Sequence, residues 1–200
     1  FIRVKSISIA DKISVSQAYV CAKGLYQCST GPCMDDTQYK RFHSNILRIY
    51  RDATGTYYKV IPANESGSSE LTVDTASLFN DDDVIFQHKL ICPMTMLRYA
   101  RLSLFFRIVR KAPPNLLNIM VAQCGSNYKK GWAFSVLSDL SWLCQSEDFA
   151  SCKSFNVDQW LSFLSDNDHF KCFSMMRKFC KTPWANVMSQ WAITPTLSTF

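Results

Sequence analysis

LRYARLSLFFRIVRK, residues 97–111, carries the strongest local pattern in the chain. Taken two residues at a time, it sets Leu102, Leu104, Phe106 and Ile108 on one face and Arg101, Ser103, Phe105 and Arg107 on the other. A period of two predicts a strand with one face on a core, because successive side chains of an extended chain point to opposite sides. Ala112-Pro113-Pro114-Asn115 then breaks the pattern, since proline has no amide hydrogen to donate. LLNIMVAQ (116–123) resumes as an apolar run of the length of a buried strand.

Working outward, RVKSISIA (3–10) and ISVSQAYVC (13–21) are β-branched and alternating, and are predicted as strands. GLYQCSTGPCMDD (24–36) contains Gly, Pro and Asp and reads as a loop. SNILRIYRD (44–52) and TYYKVI (56–61) flank Ala53-Thr54-Gly55, which reads as a hairpin turn. PANESGSSE (62–70) is loop-like, and DVIFQHKLI (83–91) reads as a strand. GWAFSVLSDLSWL (131–143) and SFNVDQWLSFL (154–164) fit a strand or a short helix equally. HFKCFSMMRKF (169–179) and NVMSQWAIT (186–194) close the chain as strands. About ten short strands divided by turns predict an all-β sandwich or barrel in one domain.

Composition limits the function classes. The chain has 200 residues, 48% of them hydrophobic, enough to build a sizeable core. A net charge of +6 is mildly basic, and no Lys/Arg-rich arm is present. The cations gather at Lys40, Arg41, Arg48 and Arg51, then at Arg98, Arg101, Arg107, Arg110 and Lys111. These read either as solvated strand faces or as contacts to RNA or neighbouring subunits. No run of about 18 apolar residues occurs, so no membrane contact is expected. The sequence opens on Phe1 rather than Met and reads as a processed or trimmed chain without a signal peptide.

Nine cysteines cannot all pair with one another, and several sit in apolar runs. Reduced thiols and a cytosolic setting are expected, against the weak contrary signal of the sequon Asn64-Glu65-Ser66. The three histidines, His43, His88 and His169, lie in no HExxH motif, and no GxSxG, Walker or dinucleotide fingerprint occurs. No signature pairs a Cys with a His for nucleophilic catalysis, so a cysteine hydrolase is not favoured. Cys28 and Cys33 lie too far apart for a common zinc-finger pair. Asp81-Asp82-Asp83 lacks the Gly and distal Glu of a calcium loop and reads as a solvated turn before a strand. Trp132, Trp142 and Trp160 read as core. No catalytic residue, metal or cofactor is expected.

Two stretches carry a resemblance. ICPMTMLRYARLSLFFRIVRKAPPNLLNIMVAQ (91–123) resembles the paired D and E strands of picornavirus-like capsid jelly rolls. TPWANVMSQW (182–191) is similar to a tract in the small coat protein of comoviruses, with Pro183, Trp184, Ala185 and Asn186 followed by Trp191. The resemblance, to secovirus small coat proteins (comovirus, fabavirus or cheravirus), implies an eight-stranded jelly roll over residues 1–200. It implies a non-enzymatic subunit of a pseudo-T=3 icosahedral shell around single-stranded positive-sense RNA of a plant virus. The implied partners are companion coat proteins, copies of itself, genomic RNA held weakly, and a viral movement protein. The implied locations are the virion, host cytoplasm and plasmodesmata. The competing expectation is a secreted β-sandwich binding module held by disulfides.

Overall fold

The computed structural model describes residues 6–31, 34–56, 80–124, 131–183 and 185–186. Among them 81% are helical and none lies in a strand, which overturns the all-β jelly roll and the capsid description built on it. The elements are α1 (Ile9–Val15), a π-helical turn (Ser16–Cys21), α2 (Ala22–Thr30), α3 (Asp36–Thr54), α4 (Asp81–Gln87) and α5 (Pro93–Lys111). After these come α6 (Pro114–Cys124), α7 (Trp132–Leu143), a 3-10 turn (Glu147–Cys152), α8 (Val157–Asp166) and α9 (His169–Cys180).

The decisive stretch is α5, a helix of 19 residues. Its buried positions include Leu97, Arg98, Arg101, Leu102, Phe105, Phe106 and Val109. They recur in steps of three and four, the period of a helix rather than of a strand. Two arginines lie on that buried stripe, where a reading by hydropathy places them outside. Asp139 of α7, fully buried, accounts for their position. It accepts a fork from Arg101, Nε at 2.6 Å and Nη2 at 2.9 Å, and lies 3.8 Å from Arg98. The Arg98 guanidinium also lies over the Trp142 ring, 5.2 Å from its centroid. Burial lowers the Arg98 pKa, and Asp139 opposes that shift by favouring the charged form.

Helix ends follow sequence chemistry. Asp35 with Gln38, Asn80 with Asp83 and Asn156 with Gln159 form capping boxes that open α3, α4 and α8. Pro93 and Pro114 stand at the first helical positions, where a missing amide hydrogen costs nothing. Gly55 ends α3 in the left-handed conformation at φ 74°, donating its N–H to Arg51 O. Ala53-Thr54-Gly55 therefore stops a helix instead of turning a hairpin.

The other predicted strands change class for related reasons. Residues 13–21 form the end of α1 and the π turn, and most of the predicted loop 24–36 belongs to α2. Residues 44–52 lie in α3, 83–91 contribute to α4, 116–123 to α6, and 169–179 to α9. Asp81-Asp82-Asp83 is the first turn of α4, where carboxylates meet the positive end of the helix dipole. The open cases at 131–143 and 154–164 resolve as α7 and α8. Trp142 and Trp160 are buried as expected for core, and Trp132 is half-buried. Of the strand expected at 3–10, Ser8 caps α1 and Ile9 and Ala10 open it, while residues 3–5 lie outside the described residues. Most of 186–194, almost all of 56–61, the loop 62–70 and the Asn64 sequon also lie outside them.

Two apolar clusters form. One joins α5, α7, α8 and α9 through Leu102, Phe106, Leu143, Phe149, Trp160 and Met176. The other joins the N-terminal helices to α4 and the start of α5 through Cys21, Leu47, Tyr50, Val84, Leu90 and Met96. Each fully buried Leu, Met or Phe contributes roughly 1.5–3 kcal/mol relative to exposure. The α2 helix lies along α5, and the Trp132 indole N–H donates to Ser29 O at 2.6 Å, tying α7 to the end of α2.

Candidate functional site

The predicted basic residues separate into two populations. Arg51, Arg98 and Arg101 are turned inward. Arg51 donates to Asp81 Oδ1 at 2.7 Å and to Thr56 O at 3.2 Å, joining the end of α3 to the start of α4. Lys40, Arg41 and Arg48 are exposed on the outer face of α3. Arg107, Arg110 and Lys111 are exposed at the C-terminal end of α5. Arg110 donates to the carbonyls of Leu164, at 3.1 Å, and of Asn167, so it also anchors the end of α8. The structure does not bring the two predicted clusters into one inner surface.

Of the coat-protein-like residues, Pro183 is exposed, Ala185 is buried and Asn186 is half-buried; Trp184 and Trp191 lie outside the described residues. Asn186 bridges to the chain before α5: its Oδ1 accepts from the Cys92 N–H at 3.0 Å and its Nδ2 donates to Leu90 O at 3.1 Å. The Thr95 hydroxyl donates to Ala185 O at 3.4 Å beside it. These residues act as a packing clamp.

A groove of about 760 Å³ lies between the N-terminal helices, α5 and the end of α9. Its volume falls within the range of small-molecule sites, about 300–1,000 Å³. Met96, Ala100, Ser103 and Arg107 form one wall, at the three- and four-residue spacing of one face of α5. Ala18, Ala22, Leu25 and Tyr26 form the facing wall. Alanines leave that wall shallow and so open the space between the helices.

The π turn at Ser16–Cys21 supplies Gln17 and Ala18 to the facing wall. A π turn widens the helix at the expense of hydrogen-bond geometry and is often placed at functional sites. Its position is secured by Gln17, whose Nε2 donates to the Tyr50 hydroxyl at 3.1 Å. That hydroxyl in turn donates to Ile91 O at 3.1 Å.

Charge is one-sided. Arg107, Arg177 and Lys181 line the groove, and among the described residues no Asp or Glu does. At the start of α9, away from the groove lining, His169 is held below the ordinary imidazole range by slight burial and by Arg110, Lys111 and Arg107. Sequence reasoning found Arg107 but missed Arg177 and Lys181, which are about seventy residues away in the chain. Only the packing of α9 on α5 unites them.

The thiols are arranged for packing. Seven cysteines among the described residues are free, six of them buried. Burial pushes Cys21 up to about 11, Cys144 up to about 12 and Cys180, in the groove wall, up to about 12. A nucleophilic thiol needs the opposite shift. Cys33 and the Cys124 side chain lie outside the described residues. Among the described residues no three His, Cys, Asp or Glu converge to hold a metal ion, and no helix is long and apolar enough to cross a membrane.

The described residues form an all-α architecture with a groove that Arg107, Arg177 and Lys181 line. No protein family, curated protein or solved structure matches the chain.

Proposed function

We propose that the chain is a helical binding module that takes a small apolar ligand into the groove between α2, α5 and α9. The observation that carries this reading is the groove itself: about 760 Å³, walled by Met96, Ala100, Leu104, Leu25 and Tyr26. Binding rather than chemistry is supported by the raised thiols in and near it. The shell-subunit reading, with its companion coat proteins, RNA and movement protein, drew on strands over 91–123 and on the tract 182–191; helices over the first remove that part of its support, and most of the second lies outside the described residues.

Titration with Nile red, a neutral apolar fluorophore, tests the reading. Saturable one-to-one binding is expected in the native protein. Ala22→Trp, at an exposed position in the groove wall, is expected to abolish it while leaving the circular dichroism spectrum unchanged. Undiminished binding in Ala22→Trp moves the ligand elsewhere and ends the proposal.

A further inference from the structure

Independently of the apolar ligand, we propose that the exposed face of α9, with the end of α5 beside it, binds the backbone of a single-stranded nucleic acid. The exposed residues of α9 are Phe170, Lys171, Ser174, Arg177 and Lys178, and Lys181 follows just past its end. At about 100° per residue they all fall within roughly 120° of arc. The buried Cys172, Met176, Phe179 and Cys180 fall on the opposite side and seat the helix in its core. The outward arc thus carries four cations and no carboxylate. Among the described residues none of the four is in an ion pair. Arg107 and Lys111, one turn apart and exposed on α5, extend the charge. α9 runs antiparallel to α5: the Phe173 and Phe106 ring centroids are 5.6 Å apart, and the Thr95 hydroxyl reaches Ala185 O at 3.4 Å. Arg107 and Lys111 therefore lie toward the start of α9. The His169 pKa registers them: slight burial, and then Arg110, Lys111 and Arg107, hold it below the ordinary imidazole range. Asp166 and Asp168 precede α9 in the chain, and Asp168 is engaged as its cap, accepting from the Lys171 N–H at 2.8 Å.

The cations are spread along the helix rather than collected at a point. Lys171 to Lys181 spans about 15 Å at the helical rise. A compact anion reaches only part of such a row, whereas a chain of phosphates follows all of it. Phe170 separates nucleic acid from other extended anions. It is 82% exposed, lies on the same arc as the cations, and offers a face on which an unpaired base stacks. Bases in a duplex are already stacked on one another, so the geometry favours a single strand. A bilayer is the poorer fit, because it binds by burying apolar area and Phe170 is the one large hydrophobic on the arc.

The test is fluorescence polarisation of labelled oligouridylate and oligothymidylate, each about twelve nucleotides long, a length within the usual single-strand site sizes. Saturable binding is expected, and the tighter of the two identifies the sugar. The log–log salt slope is expected near −3, from roughly 0.7 for each phosphate met by the four cations of the arc. The triple variant Lys171→Gln, Arg177→Gln, Lys178→Gln is expected to weaken binding about tenfold, each surface charge contributing a fraction of a tenfold step. It is expected to flatten the slope by about 2 with the circular dichroism spectrum unchanged. The triple variant Lys40→Gln, Arg41→Gln, Arg48→Gln removes the same charge from the outer face of α3. At about 0.1 M salt, where charges beyond about 10 Å are screened, it is expected to change affinity by less than about twofold. Phe170→Ala is expected to weaken both oligonucleotides about fivefold while leaving inorganic polyphosphate, which has no bases, unaffected. If the α3 variant is as damaging as the α9 variant, the attraction is one of net charge and the proposal is overturned. Absence of binding at low salt overturns it too, as does a duplex of equal length bound as tightly as the single strand, or full affinity in Phe170→Ala. Binding to phosphatidylserine vesicles by a protein that ignores the oligonucleotides replaces the nucleic acid with a membrane.

Discussion

Asn186 completes the backbone of Cys92: its Oδ1 receives the Cys92 N–H at 3.0 Å while its Nδ2 reaches the carbonyl of Leu90. Two residues of an irregular link, ahead of α5, thus have their polar groups satisfied from 94 and 96 positions away in the chain. Cys92 and Leu90 are buried, so water is a poor substitute there.

Asn186→Ala is therefore expected to destabilise the fold by roughly 1–3 kcal/mol, the cost of leaving a buried donor and acceptor unsatisfied. Asn186→Asp keeps an acceptor for Cys92 but sets a carboxylate oxygen against Leu90 O, and is expected to recover little. Urea unfolding followed by circular dichroism gives the number. A loss below a few tenths of a kcal/mol for Asn186→Ala refutes the clamp.

The Asp139 site is asymmetric, and the asymmetry is measurable. Asp139→Leu leaves two buried guanidinium groups without their carboxylate, at an expected cost of roughly 3–5 kcal/mol. Arg101→Met removes one cation while Arg98 stays 3.8 Å from the carboxylate, so a smaller loss is expected. Paired denaturation curves decide it: if Arg101→Met is the more damaging of the two, Asp139 is not the hub of the cluster.

Stability is expected to fall at alkaline pH. Thiols of the unfolded chain ionise near 9.0, whereas burial holds Cys21 protonated to about 11 and Cys144 and Cys180 to about 12. Between those values the folded chain binds more protons than the unfolded chain, so unfolding becomes easier as pH rises. The contribution is complete below about pH 9 and is lost across the window from 9 to 12. Melting temperatures at pH 7, 9 and 10.5 test this, and a flat profile above pH 9 counts against it. Replacing Cys144 with Ala is expected to reduce the slope.

Much of the helical punctuation stood in the sequence without being recognised as such. Asp35 and Gln38, Asn80 and Asp83, and Asn156 and Gln159 sit at capping-box spacing, and Gly55 follows an amphipathic run. What obscured α5 was the buried location of Arg98 and Arg101. Hydropathy alone turns arginines outward, which leaves an accidental alternation as the dominant pattern; only Asp139, about forty residues later, makes the inward placement affordable. The groove was less legible still. Its cations are Arg107 of α5 with Arg177 and Lys181 at the end of α9, whereas adjacency in sequence groups Arg107 with Arg98 and Arg101, which face the interior. The aromatic pair Trp184 and Trp191, central to the coat-protein resemblance, lies outside the described residues.

The α5 helix belongs to both apolar clusters: Met96 near its start packs in one, Leu102 to Val109 in the other. A rod shared in this way couples the melting of two cores that otherwise have different members. Loosening either end displaces the axis against which the opposite end packs, so the two clusters gain and lose order together. The coupling of the two described clusters thereby runs through nineteen residues, the same residues whose two-residue rhythm suggested a strand.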